Sequence, residues 1–443
     1  MSKNTIIKGT LILTITGIAT KLLGFYNRIF LTRLIGVKEL GVYQLIFPVY
    51  VLAISFCCQG IATSLTKQVS YYTGKKEKAN SKSVFKLALL LSFSLSILAF
   101  FTMNLFSDYI STYLLKNRDC SPLLKIISLS IPFVAVKTCI NSYLVGMDKP
   151  EYHGLSHFIE QIIRIGTAYL LSILWVGKII GAKLAVVAVI SGEIFASVLS
   201  IILYFRYNKK YDTKSKKVQA SNSQIRRKFL SDALPITSTG LMLTMFSSLE
   251  AIILPSMLFK FYNNNDMALE MYGIVTGIVI PFLLLPSTVT TSLSTMLLPA
   301  VSYAHAQKNS KTITKTISYS VMFCFTLGVA TCIVYTFFGK WACVFAFKSE
   351  TAGELLTKMC IICPFIYMAG NMSAILNGLD KAFLNLMFNI INICIRIGFT
   401  VTLVPKYGIY AYVIGMMASY ITLNILMIIA IKQNKPENQG EKS

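Results

Sequence analysis

Residues 6–36 read IIKGTLILTITGIATKLLGFYNRIFLTRLIG, and this stretch decides the fold class. It is apolar enough, and long enough, to cross a bilayer, which takes about 20 residues of helix. Lys21 and Arg28 interrupt it. They stand seven apart, so on a helix they share one face, with Gly24 between them. A cation at bilayer depth costs about 3 kcal/mol on insertion scales, so such a face turns to water or to a partner charge. The expectation is that it looks into a polar cavity between two halves of a transporter.

The rest of the chain agrees with that first stretch. Of 443 residues, 55% are hydrophobic and 14% charged. Mean hydropathy is +0.64. Apolar runs recur at 6–33, 40–66, 83–107, 122–146, 152–176, 181–205, 232–260, 268–299, 313–338, 354–378, 382–404 and 408–431. About twelve transmembrane helices follow, and the fold class is all-α, polytopic. The first segment is too long for a signal-peptide core and lacks a small-residue cleavage site, so it is read as a retained helix.

The net charge of +24 would suggest nucleic acid in a soluble chain. Here the cations sit in a few loops, so nucleic-acid binding is set aside. Lys75, Lys76 and Lys78, then Arg226, Arg227 and Lys228, then Lys308, Lys311 and Lys315 follow the second, sixth and eighth spans. The connections after the third, seventh and ninth are near neutral. By the positive-inside rule both termini are expected in the cytoplasm. The most basic stretch, 206–231, divides the chain. It reads as an orienting linker or as a site for anionic lipid headgroups.

Four short motifs repeat at one offset, 232. Ile131-Pro132-Phe133 returns as Cys363-Pro364-Phe365, and Val69-Ser70-Tyr71 as Val301-Ser302-Tyr303. Gly146-Met147-Asp148-Lys149 returns as Gly378-Leu379-Asp380-Lys381, and Arg164-Ile165-Gly166 as Arg396-Ile397-Gly398. Chance matches would scatter in offset, so the chain holds two homologous six-helix lobes, 1–205 and 232–431, with a tail at 432–443. An even helix number gives both lobes the same sense across the membrane, as in transporters of parallel repeats that bind substrate in a cleft and rock. Pro48, Pro132, Pro281, Pro286 and Pro364 lie inside spans, as kinks or as hinges.

The ionisable residues at depth are the candidate site. Lys21 and Arg28 lie on the first helix. Glu160 and Arg164, spaced i,i+4 on the fifth, are expected to pair. Glu193 is on the sixth and Glu250 on the seventh. Arg396 is the repeat partner of Arg164, while Glu160 corresponds to Asn392. The two arginines either clamp neighbouring helices or line the cavity. Glu250 either neutralises a helix-one cation or takes up H⁺ or Na⁺. A cationic lining selects anionic cargo, and arginine suits phosphate. A pyrophosphate-linked lipid fits, its tail in the bilayer and its head in the cleft.

Other chemistry finds little footing. There is no GxxxxGK[ST] phosphate loop, so no ATPase is expected in this chain. His153 and His157 lack a metalloprotease context and are read as interfacial, and Cys360-Ile-Ile-Cys363 stands without a second pair. No metal site and no cofactor is expected, and the chain is not read as an enzyme.

The stretch Lys21-Leu-Leu-Gly24-Phe25-Tyr26-Asn27-Arg28-Ile29, with Thr32-Arg33-Leu-Ile-Gly36, Gly41-Val-Tyr43-Gln44 and Pro48, resembles the opening of the stage V sporulation protein B group. These are polysaccharide-biosynthesis-type exporters of the multidrug/oligosaccharidyl-lipid/polysaccharide (MOP) flippase superfamily. Glu160-Gln161-Ile-Ile-Arg164 and the two Gly-x-Asp-Lys turns resemble that group as well. The resemblance runs over essentially the whole chain. It implies two six-helix lobes around a V-shaped cleft, in the cell membrane of a bacterium. It implies the flipping of undecaprenyl-pyrophosphate-linked sugars such as lipid II, in peptidoglycan, spore-cortex or capsule synthesis, alongside cell-wall synthesis proteins. Similar lipid II flippases use helix-one cations, and Asn27 and Arg28 occupy that stretch. Those flippases tend to carry Arg then Asp where this chain has Asn27 and Arg28, so the charge order differs. A cation-coupled antiporter of the MATE type, and a membrane scaffold that transports nothing, are the competing readings.

Overall fold

The computed structural model describes residues 3–75, 77–174, 181–211, 222–306 and 310–433. Residues 212–221 of the basic linker, Lys76, Lys308 and the tail from 434 lie outside the described residues. Every regular element among the described residues is helical. The chain forms two compact units, Met1–Ser248 and Leu249–Ser443.

In the first unit, α1 (Lys3–Ile54) is two rods joined at Gly36, whose φ of 80° and ψ of 168° break the helix. Glycine adopts that backbone without a Cβ clash. A π-helical turn at Ser55–Gln59 leads into α2 (Gly60–Gly74). Then come α3 (Lys78–Leu105), the single turn α4 (Ser107–Tyr109), α5 (Cys120–Ser128) and α6 (Ile131–Gly146). The last two meet at 41°. The helices α7 (Pro150–Leu174) and α8 (Ala182–Tyr211) follow. The division between units falls inside α9 (Asn222–Tyr262). Its first part packs on α2. Lys67 pairs with Asp232 at 2.9 Å, Gln68 Nε2 donates to the same carboxylate, and Gly60 leaves room for Thr237. Leu65, Val69, Phe85, Tyr143 and Phe229 form the core at this end.

The second unit takes the end of α9, then α10 (Asn265–Gly273), a π-helical turn at Ile274–Val279, α11 (Ile280–Leu283) and α12 (Ser287–Ala306). It continues with α13 (Ser310–Phe347), α14 (Glu350–Met359), α15 (Cys363–Gly378), α16 (Ala382–Thr402), the turn α17 (Val404–Tyr407) and α18 (Ile409–Gln433). Side chains cap two starts. Asn264 Oδ1 accepts from the amides of Asp266 and Met267, and Ser349 Oγ accepts from Ala352.

The 232 offset is visible inside each unit. Asp148 and Asp380 both take the left-handed backbone, at φ 61° and 59°. Behind them Lys149 N donates to Leu144 O, and Lys381 N to Leu376 O, each at 2.9 Å. These are paired Schellman-type stops, and Asp tolerates the left-handed position better than most residues. Ser70 Oγ donates to Gly146 O at 3.3 Å, and Ser302 Oγ to Gly378 O at 3.2 Å. Lys116 and Lys348 repeat the same positive φ.

Among the described residues nine stretches are long and apolar enough to cross a membrane, and α5 with α6 makes a bent tenth. The first of the nine, Ile15–Gly74, contains the second expected span and most of the first. The fifth expected span is α7, which Glu151, Glu160 and Arg164 keep from standing out by apolarity. Leu105, Phe337 and Phe345 are among many apolar side chains left exposed, as a lipid solvent allows. The protein is thus an all-α, multi-pass membrane protein. The prolines lie where the helical runs change course. Pro48 is inside α1, and Pro132 follows the 41° bend between α5 and α6. Pro281 follows the π-helical turn within the run Asn265–Leu283, and Pro286 stands in the break before α12. Pro364 follows a 3₁₀ turn at Cys360–Ile362 within the run Glu350–Gly378.

Candidate functional site

The site begins with α7. Pro150 opens the helix, and one turn on Gly154 presses against Thr16 of α1, where a Cβ would come within 2.5 Å of Thr16 Oγ1. Further along, the Gly24 face of α1 meets Gln161. So the helix-one face that carries Lys21 and Arg28 turns toward α7. On the other side of α7, Gly192 of α8 lies against the Glu160 backbone carbonyl, at 3.0 Å from its would-be Cβ. That close approach brings Glu193 beside Glu160 and Arg164.

Four charges then close a ring. Lys137 Nζ of α6 lies 2.8 Å from Glu160 Oε2 and also donates to Glu193. Arg164 NH2 reaches Glu160 Oε1 at 2.7 Å and Glu193 Oε1 at 3.5 Å. The Lys137 side chain is only 4% exposed. Two cations and two carboxylates satisfy one another where water is scarce. Deleting one member of a buried pair costs about 3–5 kcal/mol, because the survivor is stranded. His157 Nδ1 lies 3.2 Å from Glu160 Oε2, so this part-exposed histidine touches the ring.

Arg28 adds a further cation. It is half-buried, on the Gly24 face of α1 that meets α7. Asn27 is buried, and its Oδ1 has no hydrogen-bond partner among the described residues. Arg164 Nε is likewise unmatched. Lys21, one helical turn nearer the N-terminus than Gly24, is exposed.

The second unit builds a simpler arrangement. Arg396 of α16 pairs with Glu250 of α9 at 2.9 Å, and Tyr412 OH donates to the other Glu250 oxygen at 3.0 Å. The Arg396 guanidinium lies 5.6 Å from the Tyr420 ring. Glu250 is therefore neutralised inside its own unit. The sequence-stretch candidates thus fall into two groups, Arg28, Asn27, Arg164, Glu160 and Glu193 near one ring, and Glu250 with Arg396 in the other. Lys137 was absent from the expected set. Its signal was available, since it is a lysine inside the apolar run Ile131–Gly146.

Both ion clusters lie within a multi-pass helical fold. The fold is similar to the inward-facing structure of a multidrug resistance MATE family transporter of the MOP superfamily. The TM-score is 0.73 at 16% identity, covering 95% of this chain and 96% of that one. The chain belongs to the polysaccharide biosynthesis protein family, whose model matches residues 6–305. It is similar to stage V sporulation protein B of Bacillus subtilis (strain 168), with 25% identity, covering 98% of this chain and 85% of that protein. It is also similar to the lipid II flippase MurJ of the same organism, with 20% identity, covering 97% and 83%.

Proposed function

We propose that this protein flips a lipid-linked anionic glycan, an undecaprenyl-pyrophosphate-linked sugar such as lipid II, across the bacterial plasma membrane. The observation that carries the reading is the cluster of cations in the first unit. Lys137 and Arg164 share the ring with Glu160 and Glu193, and Arg28 lies half-buried on the helix-one face that meets α7. Cations in a low-dielectric setting attract a diphosphate. Arg28 offers the planar fork that matches phosphate oxygens. Asn27 Oδ1 offers an acceptor to a hydroxyl or amide of the sugar.

In this reading the tail stays in the lipid while the head occupies a site presented in turn to each side of the membrane. Both chain termini face the cytoplasm, and the product enters cell-wall, spore-cortex or capsule synthesis. H⁺ or Na⁺ supplies the driving force, with Glu250 as the coupling carboxylate. The names of the curated relatives support the substrate class. A drug antiporter for lipophilic cations calls for more acid than base at depth, which the first unit does not have. A scaffold role calls for no dependence on these charges.

The test is headgroup translocation in proteoliposomes holding the purified protein. Lipid II is expected to cross faster than an uncharged polyprenyl lipid of equal tail length. Equal rates for the two lipids, or none for either, would remove the reading.

A further inference from the structure

The second unit carries a groove of about 320 Å³ that the ion clusters do not use. It lies between α13, α15 and α18. Its walls are Val321 and Phe325 of α13, Met368 and Met372 of α15, and Ile428 of α18, with Lys432 among the lining residues. The origin of the groove is local. Gly328 lets α13 press against the backbone of Pro364 at the start of α15. Cys324 and Asn371 touch one level further along. Toward the start of α13 the helices part, and the space between them stays open.

That open end carries residues typical of a membrane–water boundary. Lys432 is in the last turn of α18. Lys315 of α13 lies 5.9 Å from the Tyr319 ring, a Lys–Tyr pairing of the kind that marks a membrane–water boundary. Tyr319 and Met322 are more than 60% exposed. The groove therefore runs from the boundary into the apolar layer, with one cation among its lining residues and methionine walls that adapt to irregular apolar shapes.

We infer that this groove holds one acyl chain of an anionic phospholipid, whose phosphodiester headgroup is bound by Lys432. Charge complementarity chooses the occupant. A single lysine matches a monoanionic phosphodiester, whereas a diphosphate would call for several cations, as in the first unit. A zwitterionic phospholipid gains nothing net from one lysine. The site is independent of the headgroup reading above, because it lies in another unit and takes another lipid.

Native mass spectrometry of the full chain, released from detergent with phosphatidylglycerol or phosphatidylcholine of matched chains, tests the site. A lysine near an anionic surface contributes about 1 kcal/mol, so phosphatidylglycerol should be retained about fivefold better. Lys432→Gln should abolish that preference while leaving some binding of both lipids. Met322→Trp, an exposed substitution that fills the groove, should lower both. Equal retention of the two lipids by the wild type, or a preference unmoved by Lys432→Gln, would overturn the inference. So would tighter retention of undecaprenyl diphosphate than of phosphatidylglycerol, lost on Met322→Trp, since the occupant would then be the transported lipid. A melting temperature for each variant within the wild-type range excludes misfolding as the cause.

Discussion

Arg164 and Arg396 stand at the same place in the two repeats, 232 residues apart, yet each is held by a carboxylate of different origin. Arg164 takes Glu160 from its own helix and Glu193 from the next. Arg396 takes Glu250 from α9, because its own i−4 position is Asn392. A shared positive anchor with unshared acids gives the two units different chemistry on one scaffold. The first unit adds Lys137 and Arg28. The second keeps one pair and a tyrosine.

Lys137→Met should be strongly destabilising. It leaves Glu160 and Glu193 with Arg164 alone, at a cost of about 3–5 kcal/mol. Lys137→Met combined with Glu193→Gln should recover much of that loss, since one charge of each sign then remains. Thermal unfolding in detergent reads both. A double variant no more stable than the single would mean that the ring is not charge-balanced as described.

Arg28→Ala should leave expression and melting temperature near wild type and remove most headgroup translocation. Arg28 is half-buried, and Glu160 and Glu193 keep Lys137 and Arg164 as partners without it. A charge-assisted bond to phosphate contributes about 1.5–3 kcal/mol, which is a loss of roughly 10- to 100-fold in binding. Proteoliposome rates within twofold of wild type would count against this role.

Glu250→Gln should change how transport depends on pH or on Na⁺. It keeps the Tyr412 contact in shape but leaves Arg396 without its counter-charge. Translocation measured under separate H⁺ and Na⁺ gradients reads the effect. An unaltered dependence on both would take Glu250 out of coupling.

Gly192→Val should weaken the first unit through packing alone. Its first added carbon would stand 3.0 Å from the Glu160 carbonyl and 3.4 Å from Arg164 Cβ. Overpacking of this kind costs about 1–3 kcal/mol. It should also separate Glu193 from Arg164, so both melting temperature and translocation should fall. A variant as stable as wild type would show that α7 and α8 do not meet so closely.

The sequence carried the local relationships. Glu160 and Arg164 pair at i,i+4 as helix geometry requires, and the Gly-x-Asp-Lys repeats end their helices alike. The paired turns at Asp148 and Asp380 were legible as repeats, though their left-handed backbone was not. What the sequence hid was long-range. Glu193 meets Lys137 across 56 residues, and Tyr412 meets Glu250 across 162. No periodicity reports such partners, because tertiary packing of separate helices sets them. Pro132 and Pro364 were legible for the opposite reason. A proline inside an apolar run disturbs the helix locally, and Pro132 follows the 41° bend between α5 and α6 while Pro364 follows the 3₁₀ turn at Cys360–Ile362.

The central claim is that Arg28, beside the ring of the first unit, recognises an anionic lipid head. The most direct measurement is the affinity of the purified full chain for a short-tailed, water-soluble pyrophosphoryl glycan, set against the same glycan without phosphates. The account predicts binding of the charged compound at least tenfold tighter, weakening with added salt, and reduced to the level of the uncharged one by Arg28→Ala. Equal affinities for the two compounds in the wild-type protein would contradict it.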